Sequence, residues 1–575
     1  MPIAAGAASA AASWQRWINP FVDASREMNV PARVAAGERL YRDVVYHYGP
    51  VGPWLEGAAI ELFGRRFMVL EAAALSAAIL LFVSLWRLAS RAGSLLAACL
   101  STTWAAALCF GAPNGGSFLF PYSFDALFAL AGAFLCLALA AEPPARPRGV
   151  LSAAGLALAL SSKPEIGVAA ALVLVVGGLR AEDRPRERRR ALRVAGAGGG
   201  VAIFLWALAI RGVPRADLYP EGPLAIFAPP AEWRAVYGVI SGLARPAEAL
   251  ASVSTALFLG VLILAGALTV SKVTARTPRA GESLWIGVVG AAVLFFLTSG
   301  AGIEDRLPAL LAPMPAVAGA VAVWQLRRPL DSAGRARWLL FAFSAACASR
   351  VILGLTYGAV TTPYSILAVP GLSAGAAVVV LDLLPRRFAV PGSFRRLIAV
   401  VLLALAVVAI ARWRRLLPPS QGVLLHTPSG SLRLPAERAL PTAQVLSFLS
   451  TAGAEATLGG FPEAGFFNFV TGIRNPLRQE QVFPGHLDRA AEDRLAERLE
   501  RSGPRYLLLI NQTAPAFGSV AFGRDYAREV GKVLGRRYHL AASFGEVPPD
   551  APVGWPRFFI HVYERNGPAE TIRAP

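Results

Sequence analysis

The sequence predicts an all-α polytopic membrane protein of about twelve transmembrane helices, followed by a C-terminal extracytoplasmic α/β domain. Three observations predict this class. The mean hydropathy is +0.50, and 55% of the residues are apolar, which is high for a soluble chain. Apolar runs of nearly spanning length recur throughout residues 67–413. After residue 413 the pattern changes to short alternating apolar stretches and one charged amphipathic helix.

The chain divides into three predicted parts. Residues 1–66 form an extracytoplasmic N-terminal segment, residues 67–413 the transmembrane domain, and residues 414–575 the extracytoplasmic α/β domain. The spans, each near the length that a bilayer requires, are placed at 67–87, 93–112, 121–141, 149–162, 165–180, 192–211, 250–270, 284–300, 307–324, 338–356, 364–383 and 397–413. The two short spans around residues 161–165 could instead form one broken helix.

The arginines account for the formal net charge of +19 without a nucleic-acid partner. They cluster in short loops between apolar segments, and the alternate loops carry few Arg or Lys. Cytoplasmic loops of membrane proteins are enriched in these residues, so the basic loops are predicted to be cytoplasmic. The N-terminal segment, the loop at 212–249 and the tail then face outward. The basic loops lie near residues 87–91, 146–148, 180–193, 272–279, 327–337 and 386–396.

A polar and aromatic segment at residues 21–64 holds the first candidate site. Asp23, Arg26 and Glu27 are spaced i, i+3 and i+4, so they would share one face of a helix. A carboxylate there could act as general base toward a hydroxyl within hydrogen-bonding reach. The alternative interpretation is that Asp23 only caps a helix beside solvated neighbours.

A second group of candidates follows in the same segment: Arg42, Asp43, Tyr46, His47 and Tyr48. An arginine can bind a pair of phosphate oxygens, and aromatic rings can stack on a sugar or line a path for a lipid. The alternative is an aromatic belt at the membrane interface, with an arginine that reaches toward the head groups.

Ionisable residues within or at the ends of predicted spans form a third group: Asp125, Lys163, Glu165 and Arg350. Such residues are costly unless they are paired or face a wet cavity, so each is a functional candidate. Arg350 could meet a lipid phosphate, whereas Lys163 and Glu165 could simply pair at a helix broken by proline. His486 has no metal-ligand partners at suitable spacing, which favours a structural role.

Short motifs in the chain resemble a known family. An acidic residue followed by GERLYRDVVYHYGPVGPWLEGAAIELFG resembles the bacterial polytopic glycosyltransferases of the GT-C fold, which include the protein O-mannosyltransferase and aminoarabinose transferase-like families (glycosyltransferase family 39-like). The stretches PYS, KPE and TGIRNPLRQEQVFPGHL resemble the same group. The resemblance covers the architecture of the whole chain, but it is specific only in residues 21–64 and these short motifs. The matching residues of the long segment are Gly37, Leu40, Tyr41, Asp43, His47 and Pro50.

The resemblance implies transfer of a sugar from a polyprenyl-phosphate-linked donor to a hydroxyl of a glycan, lipid or protein acceptor. The reaction would invert the anomeric carbon on the periplasmic face of a bacterial inner membrane. Asp23 takes the family's catalytic acidic position, as base or as organiser of the acceptor, and Glu27 belongs to the same catalytic pair. A divalent cation could assist, although no spacing indicates a metal site, and no nucleic acid is implied. The donor or its phosphate would contact Arg26, Arg42, Asp43, Tyr46, His47, Tyr48, Lys163, Glu165 and Arg350.

The sequence departs from the family pattern in three places. The family's Asp-Glu pair is Asp23-Ala24 here, the lysine that often precedes the proline pair is absent from Tyr48-Gly49-Pro50, and the usual first helix is not visible. Two other functions therefore stay open: a non-catalytic relative that binds lipid-linked glycans, and a flippase or transporter for lipid-linked sugars. An enzyme needs Asp23 to point into an outer cavity, whereas a scaffold would leave it in bulk solvent.

Overall fold

The computed structural model describes residues 2–16, 18–111, 117–219, 221–229, 231–240, 314–327, 329–349, 366–388, 422–512, 521–547 and 557–567, with isolated residues between 246 and 277 and between 399 and 403. The predicted spans at 250–270, 284–300 and 397–413 lie outside the described residues apart from those isolated positions, and so does Arg350. The described part is mostly helical and ends in a small sheet region.

The described residues before the tail form mainly helices. They are α1 Pro2–Ser13, α2 Ala24–Ala35, α3 Val51–Phe63, α4 Phe67–Ala92, α5 Leu95–Gly111, α6 Phe124–Ala140, α7 Arg146–Ser162, α8 Pro164–Leu179, α9 Arg184–Ile210, α10 Arg215–Leu218, α11 Ala231–Ile240, α12 Met314–Gln325, α13 Ser332–Ala348, α14 Val369–Val378 and α15 Leu384–Phe388. The described part of this region also contains two 3-10 helices (Pro223–Ile226 and Ile366–Ala368) and one π-helix (Val379–Leu383).

Three described helices are long and apolar enough to cross a membrane: Phe67–Ala92, Arg184–Ile210 and Ile366–Arg386. Four shorter apolar helices accompany them, at Leu95–Gly111, Phe124–Ala140, Pro164–Leu179 and Pro315–Gln325. A 17-residue helix such as Leu95–Gly111 covers about 25 Å, at the lower end of what a bilayer core needs. The helical membrane architecture is thus confirmed for these segments, but the count of twelve crossings is not.

The helices α7 and α8 meet at a sharp turn. Lys163 lies between them in an extended conformation, with φ −139° and ψ 94°, and Pro164 then begins α8. A Cβ added at Gly167 would lie 2.6 Å from the backbone nitrogen of Leu160, so the helices pack closely just beyond the turn. The segment predicted as two short spans or one broken helix is therefore two helices with a break at Lys163.

Basic loops that are distant in sequence meet at one end of the helices. Arg87 and Arg148 both bind Glu142, at 2.6 and 3.0 Å. Arg335 binds Glu187 and also donates to the carbonyl of Ala140, which lies two residues before Glu142. These contacts place four of the predicted cytoplasmic loops on the same end, as a common side of the membrane requires.

The tail forms a helix-covered sheet region, as the α/β prediction requires. Its strands β1 and β2 make an antiparallel hairpin, and a second sheet has the order β3-β4-β6-β5, with β3 and β4 parallel. Every residue of β4 is buried, as expected of a central strand. The elements are β1 Gly422–Thr427, β2 Gly430–Pro435, α16 Ala436–Ser450, β3 Leu458–Phe461, α17 Gly465–Thr471, α18 Arg489–Ser502, β4 Tyr506–Ile510, α19 Arg528–Arg537, β5 Tyr538–Phe544 and β6 Ile560–Arg565.

The N-terminal segment packs directly on the tail. The backbone N–H of Phe466 donates to the Ser25 hydroxyl at 2.6 Å. A Cβ added at Gly465 would lie 2.9 Å from the Ser25 carbonyl oxygen, so only glycine allows α2 and α17 to approach this closely. This contact positions the candidate site between the two parts of the chain.

Candidate active site at the N-terminal segment

Asp23 occupies the N-cap position of α2, but its side chain does not cap the helix. The backbone N–H groups of Asp23 and Arg26 donate instead to the Glu463 carboxylate, at 2.8 and 2.9 Å. The first N–H groups of a helix have no partner within it, so the oxygens of this carboxyl group satisfy them. The interpretation of Asp23 as a simple helix cap is therefore wrong, because the fully buried Glu463 takes that role.

The Asp23 carboxylate is held by one oxygen. Its Oδ1 lies 3.3 Å from Arg26 Nη1 and accepts a hydrogen bond from Gln481 Nε2 at 3.1 Å. Within the described part of the chain, no donor lies at hydrogen-bonding distance from Oδ2. The side chain is 23% exposed, so this second oxygen is available to a ligand.

Arg26 connects Asp23 to the start of α6. Its Nε and Nη2 donate to Glu27 Oε1 at 3.0 and 2.8 Å, and Nη2 also donates to the Tyr122 carbonyl at 3.1 Å. Glu27 Oε2 accepts from the backbone N–H of Phe124 at 2.9 Å. Burial raises the pKa of Glu27, and Arg26 opposes that rise. Both carboxylate oxygens of Glu27 are thus engaged, which suits a residue that orients Arg26.

Two cations flank the ring of Tyr48. Lys163 Nζ lies 3.7 Å from the ring centroid, and the Arg26 guanidinium carbon lies 5.3 Å from it. The loop that carries Tyr48 rests on the α7–α8 turn, where the Gly49 N–H donates to the Ser162 carbonyl at 2.8 Å. A Cβ at Gly49 would lie 1.8 Å from a carbonyl oxygen of that turn, so glycine is required here.

Asp125 lies beneath this loop. Its Oδ2 accepts from the Tyr46 hydroxyl at 2.5 Å, and its Oδ1 accepts from the Gly52 N–H at 3.1 Å. Both side chains are buried. A buried acidic group at the end of an apolar helix is costly, and these two donors offset that cost.

An aromatic cluster contains both histidines of this region. The His47 ring centroid lies 4.7 Å from that of Trp233 and 5.8 Å from that of His486. Burial, followed by the nearby His486, lowers the pKa of His47, and burial lowers the pKa of His486 to about 4. Both rings are therefore neutral at physiological pH, and His486 belongs to a packed cluster as predicted.

The other predicted residues lie apart from Asp23. Arg42 is 52% exposed, and its Nε lies 3.7 Å from Asp43 Oδ1; both residues line a separate surface cavity. Glu165 Oε1 lies 3.8 Å from Lys163 Nζ, which matches the alternative of a salt bridge at a broken helix. The placement of Arg350 lies outside the described residues.

Comparisons with known proteins give structural neighbours only. No protein-family model matches the chain, and no curated protein matches it. The chain is similar to the Archaeoglobus fulgidus oligosaccharyltransferase in complex with Zn and sulfate, with 13% identity over 94% of this chain and 72% of that chain and a TM-score of 0.48. It is also similar to ArnT from Cupriavidus metallidurans bound to undecaprenyl phosphate, with 14% identity over 97% of this chain and 96% of that chain and a TM-score of 0.41.

A further crystal structure of the same oligosaccharyltransferase, tethered to an acceptor peptide that contains the NVT sequon, matches with 12% identity over 94% of this chain and 72% of that chain and a TM-score of 0.44. These neighbours are of the GT-C class that the sequence motifs resemble.

The carboxylates around Asp23 do not fit a divalent cation. Among the described residues, no group of three or more His, Cys, Asp or Glu side chains is arranged to hold a metal ion. Glu27, Asp125 and Glu463 each have both oxygens engaged by protein donors. Hydrogen bonds from the protein compete with an ion for these oxygens, which makes the three carboxylates poor ligands for a divalent cation.

Sequence reasoning missed Glu463 and Gln481. Glu463 contacts a backbone group 440 positions away, and its surroundings, FPEAG, carry no motif. Gln481 lies within the RNPLRQEQVFPGHL stretch that carries part of the family resemblance. The family resemblance of that stretch was therefore the sequence signal that could have pointed to Gln481.

Proposed function

We propose that this protein is a membrane glycosyltransferase that moves a sugar from a polyprenyl-phosphate-linked donor to an acceptor hydroxyl on the extracytoplasmic face of a bacterial inner membrane. The observation that carries the proposal is the state of Asp23. One carboxylate oxygen is anchored by Arg26 and Gln481, and the other is available in a partly exposed position. A general base needs this combination of fixed orientation and access.

In the proposed reaction, Asp23 Oδ2 accepts the proton of the acceptor hydroxyl. The hydroxyl oxygen forms a bond to the anomeric carbon while the bond from that carbon to the phosphate oxygen breaks. The electron pair leaves with the phosphate, and a single displacement from the opposite face inverts the anomeric centre. Arg26, Gln481 and Glu463 hold the base in place during this step.

Lys163 is the proposed contact for the leaving phosphate. The Tyr48-Gly49-Pro50 loop lacks a lysine of its own, and Lys163 brings an ammonium group to 3.7 Å from the Tyr48 ring centroid from another helix. It lies at the start of the apolar helix Pro164–Leu179, where a lipid-linked phosphate would arrive from the membrane. A fixed positive charge there stabilises the negative charge that develops on the leaving group.

The alternatives have less support from the site. A scaffold role predicts Asp23 in bulk solvent, but its carboxylate is held by Arg26 and Gln481. A transporter needs a charged path through the bilayer, but Lys163 and Glu165 lie together at one helix break.

The test is Asp23→Asn in a deletion strain, with Asp493→Asn on the exposed side of α18 as the matched control. Envelope glycans would be analysed by mass spectrometry, and transfer rates measured in isolated membranes at equal protein levels. We expect Asp23→Asn to lower transfer by about 100-fold or more, and the control to retain it. Undiminished transfer by Asp23→Asn would remove Asp23 from the mechanism.

A further inference from the structure

A cavity of about 720 Å³ opens between the second half of α2, the loop after it and the tail. Asp23 does not line it. The size suits a ligand of one or a few sugar units, since small-molecule sites occupy about 300–1,000 Å³. Six arginines line the cavity: Arg33, Arg42, Arg65, Arg474, Arg478 and Arg498.

The carboxylates that line the cavity, Glu38, Asp43 and Asp217, are fewer than these arginines and already engaged. Glu38 binds Arg33 at 2.5 Å, and Asp217 binds Arg478 at 2.5 Å. Asp43 Oδ2 accepts from a backbone N–H at 2.8 Å. The lining thus carries an excess of positive charge, which attracts anions.

The buried arginines form a fixed floor. Arg33 also binds the buried Glu480 at 2.5 Å, and Arg478 donates to the carbonyls of Tyr41 and Arg42 at 2.8 Å. These contacts hold the two guanidinium groups in place.

The remaining arginines have weaker attachments. Among the described residues, Arg65 and Arg498 have no carboxylate within 4.0 Å, and the nearest carboxylate oxygen to Arg42 lies 3.7 Å away. Arginine side chains without a close carboxylate partner offer planar pairs of donors that match phosphate and carboxylate oxygens.

The cavity draws its lining from segments outside the apolar helices. Its residues come from 29–43, 65, 214–217, 468–478 and 498, and none belongs to a helix that is apolar enough to lie in a membrane. A phosphate on a lipid donor is confined to the membrane surface, whereas this cavity opens among extramembrane segments. The lining therefore favours a ligand that arrives from water.

A four-residue segment joins this cavity to Asp23. Arg478 and Glu480 make the contacts of the cavity floor, and Gln481 binds the Asp23 carboxylate at 3.1 Å. A ligand bound in the cavity is thus one short loop segment away from the proposed base.

We propose that this cavity binds the anionic part of a water-soluble acceptor, a glycan that carries phosphate or carboxylate groups. The assignment as an acceptor site rests on the proposed sugar transfer. The anion binding itself does not depend on catalysis.

The experiment measures binding of inorganic pyrophosphate to the full-length protein in nanodiscs of zwitterionic lipid, by calorimetry. The test variant is Arg42→Gln with Arg498→Gln, since neither side chain has a close ion pair in the described part of the chain. The control is Arg501→Gln on the same helix, outside the cavity and 78% exposed. We expect the double variant to bind about tenfold or more weakly, and the control to bind as wild type.

Two further arms separate the possible outcomes. Asp23→Asn should bind pyrophosphate as wild type does, so that a failure of the proposed catalysis leaves this result intact. Dodecyl phosphate placed in the nanodisc should not compete with pyrophosphate. Competition would show that the cavity serves a lipid phosphate and would overturn the proposal. Absence of pyrophosphate binding, or equal binding by the double variant and the control, would also overturn it.

Discussion

At the scale of single residues, the protonation of Glu463 contributes to the pH dependence of the protein's stability. Burial, followed by the neighbouring Asp23 carboxylate, raises the pKa of Glu463 from its ordinary value of 4.5 to about 8. Between these two values the folded protein keeps a proton that the unfolded chain has lost. The free energy of unfolding therefore falls as the pH rises through this window, because the unfolded state binds fewer protons.

We predict that Glu463→Gln removes this part of the pH dependence. Thermal unfolding of wild type and variant would be followed at pH 5 and at pH 8, with transfer measured in parallel. The wild type should lose more stability than the variant on going from pH 5 to pH 8. The variant should also lose activity, since its amide group cannot accept from both N–H groups at the start of α2. Equal pH slopes for the two proteins would contradict the assignment.

A second residue-scale prediction concerns Gly49. An alanine there places its Cβ 1.8 Å from a carbonyl oxygen of the α7–α8 turn, so loop and turn must separate. We expect Gly49→Ala to cost about 1–3 kcal/mol of stability and to impair donor use by moving Tyr48 away from Lys163. Gly149→Ala is the control, because nothing lies within 4 Å of its added Cβ. The melting temperatures and transfer rates of both variants would be compared. If Gly49→Ala behaved as the control does, the loop and the turn could separate without cost, and the prediction would be wrong.

At the scale of elements, the break between α7 and α8 places the proposed phosphate contact. Removing the charge with Lys163→Met should raise the KM for the lipid-linked donor by about tenfold or more and leave the KM for the acceptor nearly unchanged. Lys532→Met, whose exposed ammonium pairs with Glu529 at 2.7 Å in the tail, is the matched control. A change confined to the acceptor KM would move Lys163 out of the donor site.

The sequence foresaw the elements that depend on local patterns. Within the described residues, several apolar runs became helices near their predicted bounds, as in 67–87 against Phe67–Ala92, and the amphipathic stretch became α18. Asp23, Arg26 and Glu27 lie together as their spacing predicted. The cap of α2 could not be foreseen, since Glu463 comes from another part of the fold. The contact of Lys163 with Tyr48 depends in the same way on tertiary packing.

At the scale of the whole molecule, the basic loops and the Asp23 site lie at different ends of the described helices. At the first end, the basic loops are held together by contacts among Arg87, Glu142, Arg148 and Arg335. At the other end, the tail packs on α2. With the enrichment of arginine in cytoplasmic loops, this arrangement supports our proposal that the tail faces outward.

Labelling of single cysteines would test this orientation. The chain has four cysteines, all free, which would first be replaced by serine or alanine. Ser502→Cys in the tail should then react with a membrane-impermeant maleimide in intact spheroplasts, and Arg188→Cys should react only after permeabilisation. Both side chains are exposed, so access to each is set by the membrane. The reverse pattern of labelling would invert the proposed topology.

The cap of α2 by Glu463 has a consequence for the order of biosynthesis. During translation, Asp23 leaves the ribosome well before Glu463, which lies 440 positions later in the sequence. Until the tail has been translated, the nascent protein has Asp23 without the group that fixes the start of its helix. On the proposed function, a partly made chain therefore lacks a positioned base, and sugar transfer would begin only once the tail packs on α2.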